Sequence, residues 1–173
     1  MFKRLSKTKE PDNAASAYDY AVFLLSLRLR TVGEMRDKMQ QRGYSPEIIV
    51  QTLEELHRQR YLDDGRYAEV FLENVKAYKD LGYYGIKKKF LAKRLPVKLV
   101  EKVLNEGLSL NDELVIAERV LKKAGYKAKA LGGDGDGPRY NTYDEKLSKQ
   151  KQKLAQKLKS RGFRGEVIAK LIY

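Results

Sequence analysis

The chain has 173 residues, 42% of them hydrophobic, which is enough for a folded core, and 34% charged. Its net charge of +13 favours a polyanionic or acidic partner, and the lack of any cysteine excludes disulfides and thiolate metal sites. No stretch approaches the ~20 apolar residues of a membrane span, and the basic N-terminus has no apolar signal segment, so a cytoplasmic protein without a membrane partner is expected.

Residues 1–16 read as a flexible tail, with Pro11, Asp12 and Asn13 marking the start of ordered structure. In "AYDYAVFLLSLRLR", Ala17, Tyr20, Ala21, Leu24 and Leu25 recur at the spacing of one buried helical face. Thr31 is suited to cap a second helix, in which Met35 and Met39 lie four apart and which Gly43 ends in a left-handed turn. Ser45, Pro46 and Glu47 then start a third helix, with Ile48, Ile49, Thr52, Leu53 and Leu56 facing inward.

This pattern recurs. A shift of 51 residues places Met35 on Ile86, Met39 on Phe90, Tyr44 on Leu95, Ile48 on Leu99, Ile49 on Val100 and Leu53 on Leu104. A shift of 119 places the same six residues on Leu154, Leu158, Phe163, Val167, Ile168 and Ile172, and "RGY" at 42–44 returns as "RGF" at 161–163. The third spacing is longer than two shifts of 51 by 17 residues, which a Gly-rich loop inserted at about 125–143 accounts for; its centre, 127–141, reads as mobile. The expected fold is therefore all-α: a tail at 1–16 and three tandem three-helix repeats, 17–62, 63–109 and 110–173, forming an elongated, curved array.

Two adjacent aspartates, Asp63 and Asp64, stand in "YLDDGRYAEVFL", which matches "LNDELVIAERVL" at a shift of 49 so that Asp63 meets Asp112 and Asp64 meets Glu113. Both segments read as helix starts, where a carboxylate accepts from free N–H groups and opposes the helix dipole. A metal-dependent nuclease would need carboxylates converging from several elements, and adjacent side chains diverge. His57, the only histidine, is expected at the surface. "GGDGDGPRY" has neither the closing glutamate of an EF-hand nor the Gly-Lys-Ser/Thr of a phosphate loop. No catalytic residue, metal site or cofactor is expected, and the chain is not read as an enzyme.

Residues 17–75 carry eight Lys/Arg and ten Asp/Glu, whereas 76–106 and 143–173 each carry nine Lys/Arg against three Asp/Glu. The basic surface thus belongs mainly to the second and third repeats, where Lys87, Lys88, Lys89, Lys93 and Arg94 lie on one helix and Lys149, Lys151, Lys153, Lys157, Lys159 and Arg161 on its counterpart. Such lysines are either a solvated face or a track for a polyanion, with Tyr83, Tyr84, Tyr140 and Tyr143 beside them as packing or base-stacking residues. A helix-turn-helix reader of duplex DNA ranks lower, because three tandem copies do not suggest a symmetric operator reader.

The segments "RLRTVGEMRDKMQQRGY", "YLDDGRYAEVFL" and "KLAQKLKSRGF", in this order and spacing, resemble the RecX family, regulators of the bacterial RecA recombinase, over residues 17–173. The resemblance implies a regulator, most often an inhibitor, that binds along RecA filaments on single-stranded DNA. It would modulate ATPase, strand exchange and co-protease activity in recombination, DNA repair and the SOS response. Partners would be RecA and its filament, with direct DNA binding as a further possibility, and a monomer is expected. An independent basic nucleic-acid-binding repeat protein is the alternative. In this chain "KRLPVK" at 93–98 stands where the family has a glycine-containing turn, so the helix end there is expected to differ, and the Gly-rich insertion departs from the family's core pattern. Candidate binding residues are Arg28, Arg30, Arg42, Arg66, Lys87, Lys88, Lys93, Arg94, Lys157 and Arg161.

Overall fold

A computed structural model describes residues 7–125 and 142–173, the latter with side chains from 147 onward. The described residues contain nine helices and no strand: α1 (Ala14–Leu27), α2 (Val32–Arg42), α3 (Pro46–Arg58), α4 (Asp64–Tyr78), α5 (Tyr83–Ala92), α6 (Val97–Gly107), α7 (Leu110–Lys123), α8 (Thr142–Ser160) and α9 (Gly165–Ile172). The chain is all-α, as its periodicity requires. The centre of the Gly-rich insertion and Tyr140 lie outside the described residues, as does the side chain of Tyr143. No described helix is long and apolar enough to cross a membrane.

The structure divides into two compact units, one of Met1–Val70 with Phe90–Val100, the other of Phe71–Lys89 with Glu101–Tyr173. In the first unit, α1, α2 and α3 enclose a core of Ala17, Ala21, Leu24, Met35, Met39, Tyr44, Ile49, Leu53, Leu56 and Leu62. Tyr20 and Leu25, read from the spacing as core, lie only partly buried at its edge. Asn13 caps α1 through Ser16 N, and Thr31 caps α2 through Glu34 N. Ser45 occupies the N-cap of α3 with Pro46 behind it, but its hydroxyl makes no capping bond, so the proline rather than the serine side chain sets this start.

In the second unit α7, α8 and α9 pack together over buried Ile116, Ala117, Val120, Leu121, Leu154, Leu158, Phe163, Val167 and Ile172. Four of the six apolar positions that repeat in the sequence are buried in all three copies; of the other two, one has Ile48 and Leu99 only partly buried. Ile49 and Val100 are buried, but their third counterpart Ile168 is only half-buried, and Val167 takes the inward place.

The turns that end α2, α5 and α8 share one left-handed residue. Gly43 adopts φ 96°, Gly162 adopts φ 78°, and the intervening counterpart Arg94 adopts φ 62°. The glycine that "KRLPVK" lacks is thus replaced without changing the turn, at a cost of about 1 kcal/mol for a side chain held in this region.

Candidate polyanion-binding surface and the joints that position it

The adjacent aspartates are helix caps, and they cap two different helices. Asp63 accepts from Arg66 N at 2.9 Å and so starts its own helix α4. Asp64 turns away and accepts from Val32 N at 2.8 Å, satisfying the N-terminus of α2. Burial pushes the Asp64 carboxyl above its ordinary value; the Val32 N–H and His57 oppose the shift, while neighbouring Asp63 adds to it. The second unit repeats the arrangement with Glu113, which is fully buried and accepts from Tyr83 N at 3.1 Å at the N-terminus of α5. Glu113 also accepts from Arg164 N at 2.8 Å and pairs with the Arg164 guanidinium. Asp64 has no such second donor by homology, because the residue matching Arg164 in the middle repeat is Pro96, which has no N–H.

Asp112, the counterpart of Asp63, forms a capping box with Ser109 at the start of α7. The Ser109 hydroxyl, opposed by burial and helped by the Ser109 N–H and Lys76, holds its carboxyl below the usual range. Spacing foresaw the capping but not that Asp64 and Glu113 reach across to another helix, because the partner is set by tertiary packing.

Each joint brings backbones too close for a side chain. A Cβ on Gly33 would lie 2.3 Å from the Arg94 Cβ, and one on Gly162 would lie 2.1 Å from Gly85 N. In the first unit the Thr31 hydroxyl donates to the Lys93 carbonyl. In the second, Tyr84 N donates to the Gly162 carbonyl at 2.8 Å and Gly82 N to the Arg161 carbonyl at 3.1 Å.

Most of the candidate cations are engaged within the fold, and four of them, Arg28, Lys93, Arg94 and Arg161, bear on these joints. Arg28 grips Glu34 with two nitrogens at 3.0 and 3.2 Å, and Lys93 reaches the same carboxylate at 3.0 Å. Burial raises the Glu34 pKa, but the hydrogen bonds from Arg28 and Lys93 outweigh it and hold the carboxyl below its ordinary value. The Glu34 bond in turn raises the Arg28 pKa. Arg30 donates to the Leu24 carbonyl at 3.2 Å, and burial lowers its pKa. Arg42 lies 5.4 Å from the Tyr20 ring centre, and Arg94 pairs with Asp37 at 3.2 Å. Lys87 pairs with Glu101 at 2.7 Å, which raises its pKa.

Arg161 donates to the Asp80 carbonyl at 3.1 Å and approaches the Asp80 carboxylate at 3.6 Å. Asp80, which no sequence motif marks, also receives Arg119 at 3.0 Å and Lys123 at 2.8 Å. The Lys123 bond, opposed by burial and joined by Arg119, lowers its pKa. Arg66, Lys88 and Lys157 are exposed, and no described ion pair engages their side chains.

His57 is exposed, with Nδ1 3.1 Å from the Leu62 carbonyl, and so closes the chain after α3. Among the described residues no group of three or more His, Asp or Glu is gathered to hold a metal ion.

The architecture is that of an all-α repeat protein whose joints are fixed by carboxylate caps and close backbone approaches. Residues 17–56 match the family described as RecX, first three-helix domain. The protein called regulatory protein RecX of Haemophilus influenzae (strain PittGG) is 32% identical over 157 residues, covering 90% of this chain and 92% of that protein. A second of the same name, from Trichlorobacter lovleyi, is 28% identical over 159 residues, covering 91% and 94%. The crystal structure of RecX from Lactobacillus salivarius superposes with a TM-score of 0.72 at 21% identity, covering 92% of this chain and 94% of that one, which establishes the common fold. The chain belongs to the RecX family.

Proposed function

We propose that this protein regulates RecA by binding along RecA filaments on single-stranded DNA, and that its effect is inhibition of ATPase, strand exchange and co-protease activity. The observation that supports this reading is family membership across nearly the whole chain, since the relatives carry the name regulatory protein RecX. The cationic second and third repeats suit a nucleoprotein surface, and the three repeats, 17–62, 63–109 and 110–173, would follow it one after another. In this reading the protein has no catalytic activity of its own and acts in the cytoplasm as a monomer in recombination, DNA repair and the SOS response.

Arg66, Lys88 and Lys157 are the leading binding residues, because the other candidates, Arg28, Arg30, Arg42, Lys87, Lys93, Arg94 and Arg161, are engaged within the fold. The test is a titration of RecA's DNA-dependent ATPase with this protein, alongside co-sedimentation with RecA filaments on single-stranded DNA. Substoichiometric inhibition with co-sedimentation is expected. DNA binding with no response to RecA would instead identify an independent nucleic-acid-binding protein.

A further inference from the structure

A groove of about 530 Å³ opens in the second unit, lined by Tyr84 of α5, Lys159 of α8, Phe163, and Gly165, Ile168 and Tyr173 of α9 or its end. Its volume lies within the ~300–1,000 Å³ of ordinary ligand pockets. Two of its walls are flat aromatic rings open to solvent, with Tyr84 60% and Tyr173 78% exposed. Tyr84 packs against Tyr83 in a T-shaped pair, at 5.2 Å between ring centres and 80° between planes. Tyr83 is itself held by Asn105 through its hydroxyl, at 3.1 Å, and by the Arg164 guanidinium over its ring. The floor includes Ile168, the one member of its repeated position that the fold leaves partly open.

The surroundings are strongly cationic. Residues 147–173 carry eight Lys/Arg against one acid, Glu166, which is exposed on α9 beside Gly165. On α8, exposed Lys149, Lys153 and Lys157 recur every fourth residue, giving a row spaced by about 6 Å along one face. Lys159, the charged residue of the groove wall, follows Lys157 by two residues, about 200° around the helix axis, so it stands on the groove side of α8 while Lys157 stands on the opposite flank. An exposed aromatic ring, an apolar lining without a carboxylate and the Lys159 ammonium in the same wall suit a flat ring carried next to an anionic group.

We infer that this groove receives a base of a single-stranded nucleic acid, stacked on Tyr84, while Lys159 holds the adjoining phosphate. The inference rests on the reading of this protein as a ligand of filaments on single-stranded DNA, and it names where the strand itself would be held.

The test compares binding of the full chain to a fluorescein-labelled oligodeoxythymidylate and to an abasic oligonucleotide of equal length, by anisotropy over a series of salt concentrations. The abasic strand keeps the phosphates and lacks the rings. The oligodeoxythymidylate is expected to bind about tenfold more tightly. Tyr84→Ala should abolish that preference and Tyr84→Phe should keep it. Lys159→Ala should weaken binding to both strands and lower the salt slope by about 0.7. Gly165→Leu is a second route, because a Cβ at Gly165 has open space around it and the leucine fills the groove without disturbing the fold; it too should remove the preference.

A base preference that survives both Tyr84→Ala and Gly165→Leu would overturn the inference and leave DNA binding in place. Failure of the unaltered protein to bind either strand would remove the DNA contact from the functional reading, and the inference with it. Loss of RecA co-sedimentation in Gly165→Leu, with oligonucleotide binding unchanged, would assign the groove to a side chain of a protein partner instead.

Discussion

Replacing Glu113 by alanine should cost the second unit far more than Asp64→Ala costs the first, although the two acids occupy the same place in the repeat. Glu113 has no exposed surface, and its carboxylate satisfies Tyr83 N, Arg164 N and the Arg164 side chain. Removing one partner of a buried pair generally costs about 3–5 kcal/mol. Arg164 keeps 26% of its side chain in solvent and retains the Leu108 carbonyl at 3.4 Å and the Tyr83 ring. The lower end, about 3 kcal/mol, is therefore expected.

Asp64→Ala removes a single cap bond and also relieves the burial of a carboxylate, so about 1 kcal/mol is expected. Urea denaturation followed by far-ultraviolet circular dichroism reads the difference. With a slope of about 2 kcal/mol per molar, Glu113→Ala should lower the midpoint of its transition by about 1.5 M and Asp64→Ala by about 0.5 M. Glu113→Gln, which can keep an acceptor for both backbone donors, should fall between them. Equal losses at the two positions would refute the argument, because it rests on the second donor that Pro96 cannot supply.

Three further outcomes are expected. Gly162→Ala should destabilise by at least about 2 kcal/mol, since its Cβ would meet Gly85 N at 2.1 Å in a left-handed backbone, whereas Arg94→Gly should stay within about 1 kcal/mol of the parent by exchanging turn strain for the Asp37 pair. Thermal melts of the two variants decide this. The folded-state pKa of Asp64 lies above its unfolded value, so folding disfavours the ionised form and this residue's contribution rises as pH falls through the folded pKa towards the unfolded one; Asp64→Asn should remove that component from the pH dependence of the urea midpoint. Charge reversal of Lys88 and Lys157 should flatten the salt dependence of filament or oligonucleotide binding by about 0.7 for each phosphate left without its lysine, while Lys93→Glu should chiefly destabilise the first unit by facing Glu34. An unchanged salt slope would place the nucleic acid on another face.

The helices were legible because their information is local. Asn13, Thr31 and Pro46 mark starts, and the apolar spacing repeats with period 3.6. The repeat was legible for the same reason, down to Arg94 standing where Gly43 and Gly162 stand. The function of individual charges was not. Arg28, Lys93 and Arg161 look like surface cations in sequence, but the carboxylates that engage them, Glu34 and Asp80, are brought to them by packing. Asp80 gave no local signal, since the three cations around it come from 39 to 81 positions away. Glu113 could have been suspected from its alignment with Asp64, but its burial depends on Arg164, which only the fold supplies.

The first unit is discontinuous in the chain, joining Met1–Val70 to Phe90–Val100. Lys93 and Arg94 supply the partners of Glu34 and Asp37 and the carbonyl for Thr31, so during synthesis the N-terminal helices emerge with one side of their joint missing. At about 5–20 residues per second, the ribosome needs roughly 1.5 to 6 s to advance from position 70 to position 100. For that interval Gly33 and the capped start of α2 face solvent or a chaperone, and a slow codon placed just after residue 100 has emerged would give this unit time to close before Arg161 of the second unit reaches Asp80.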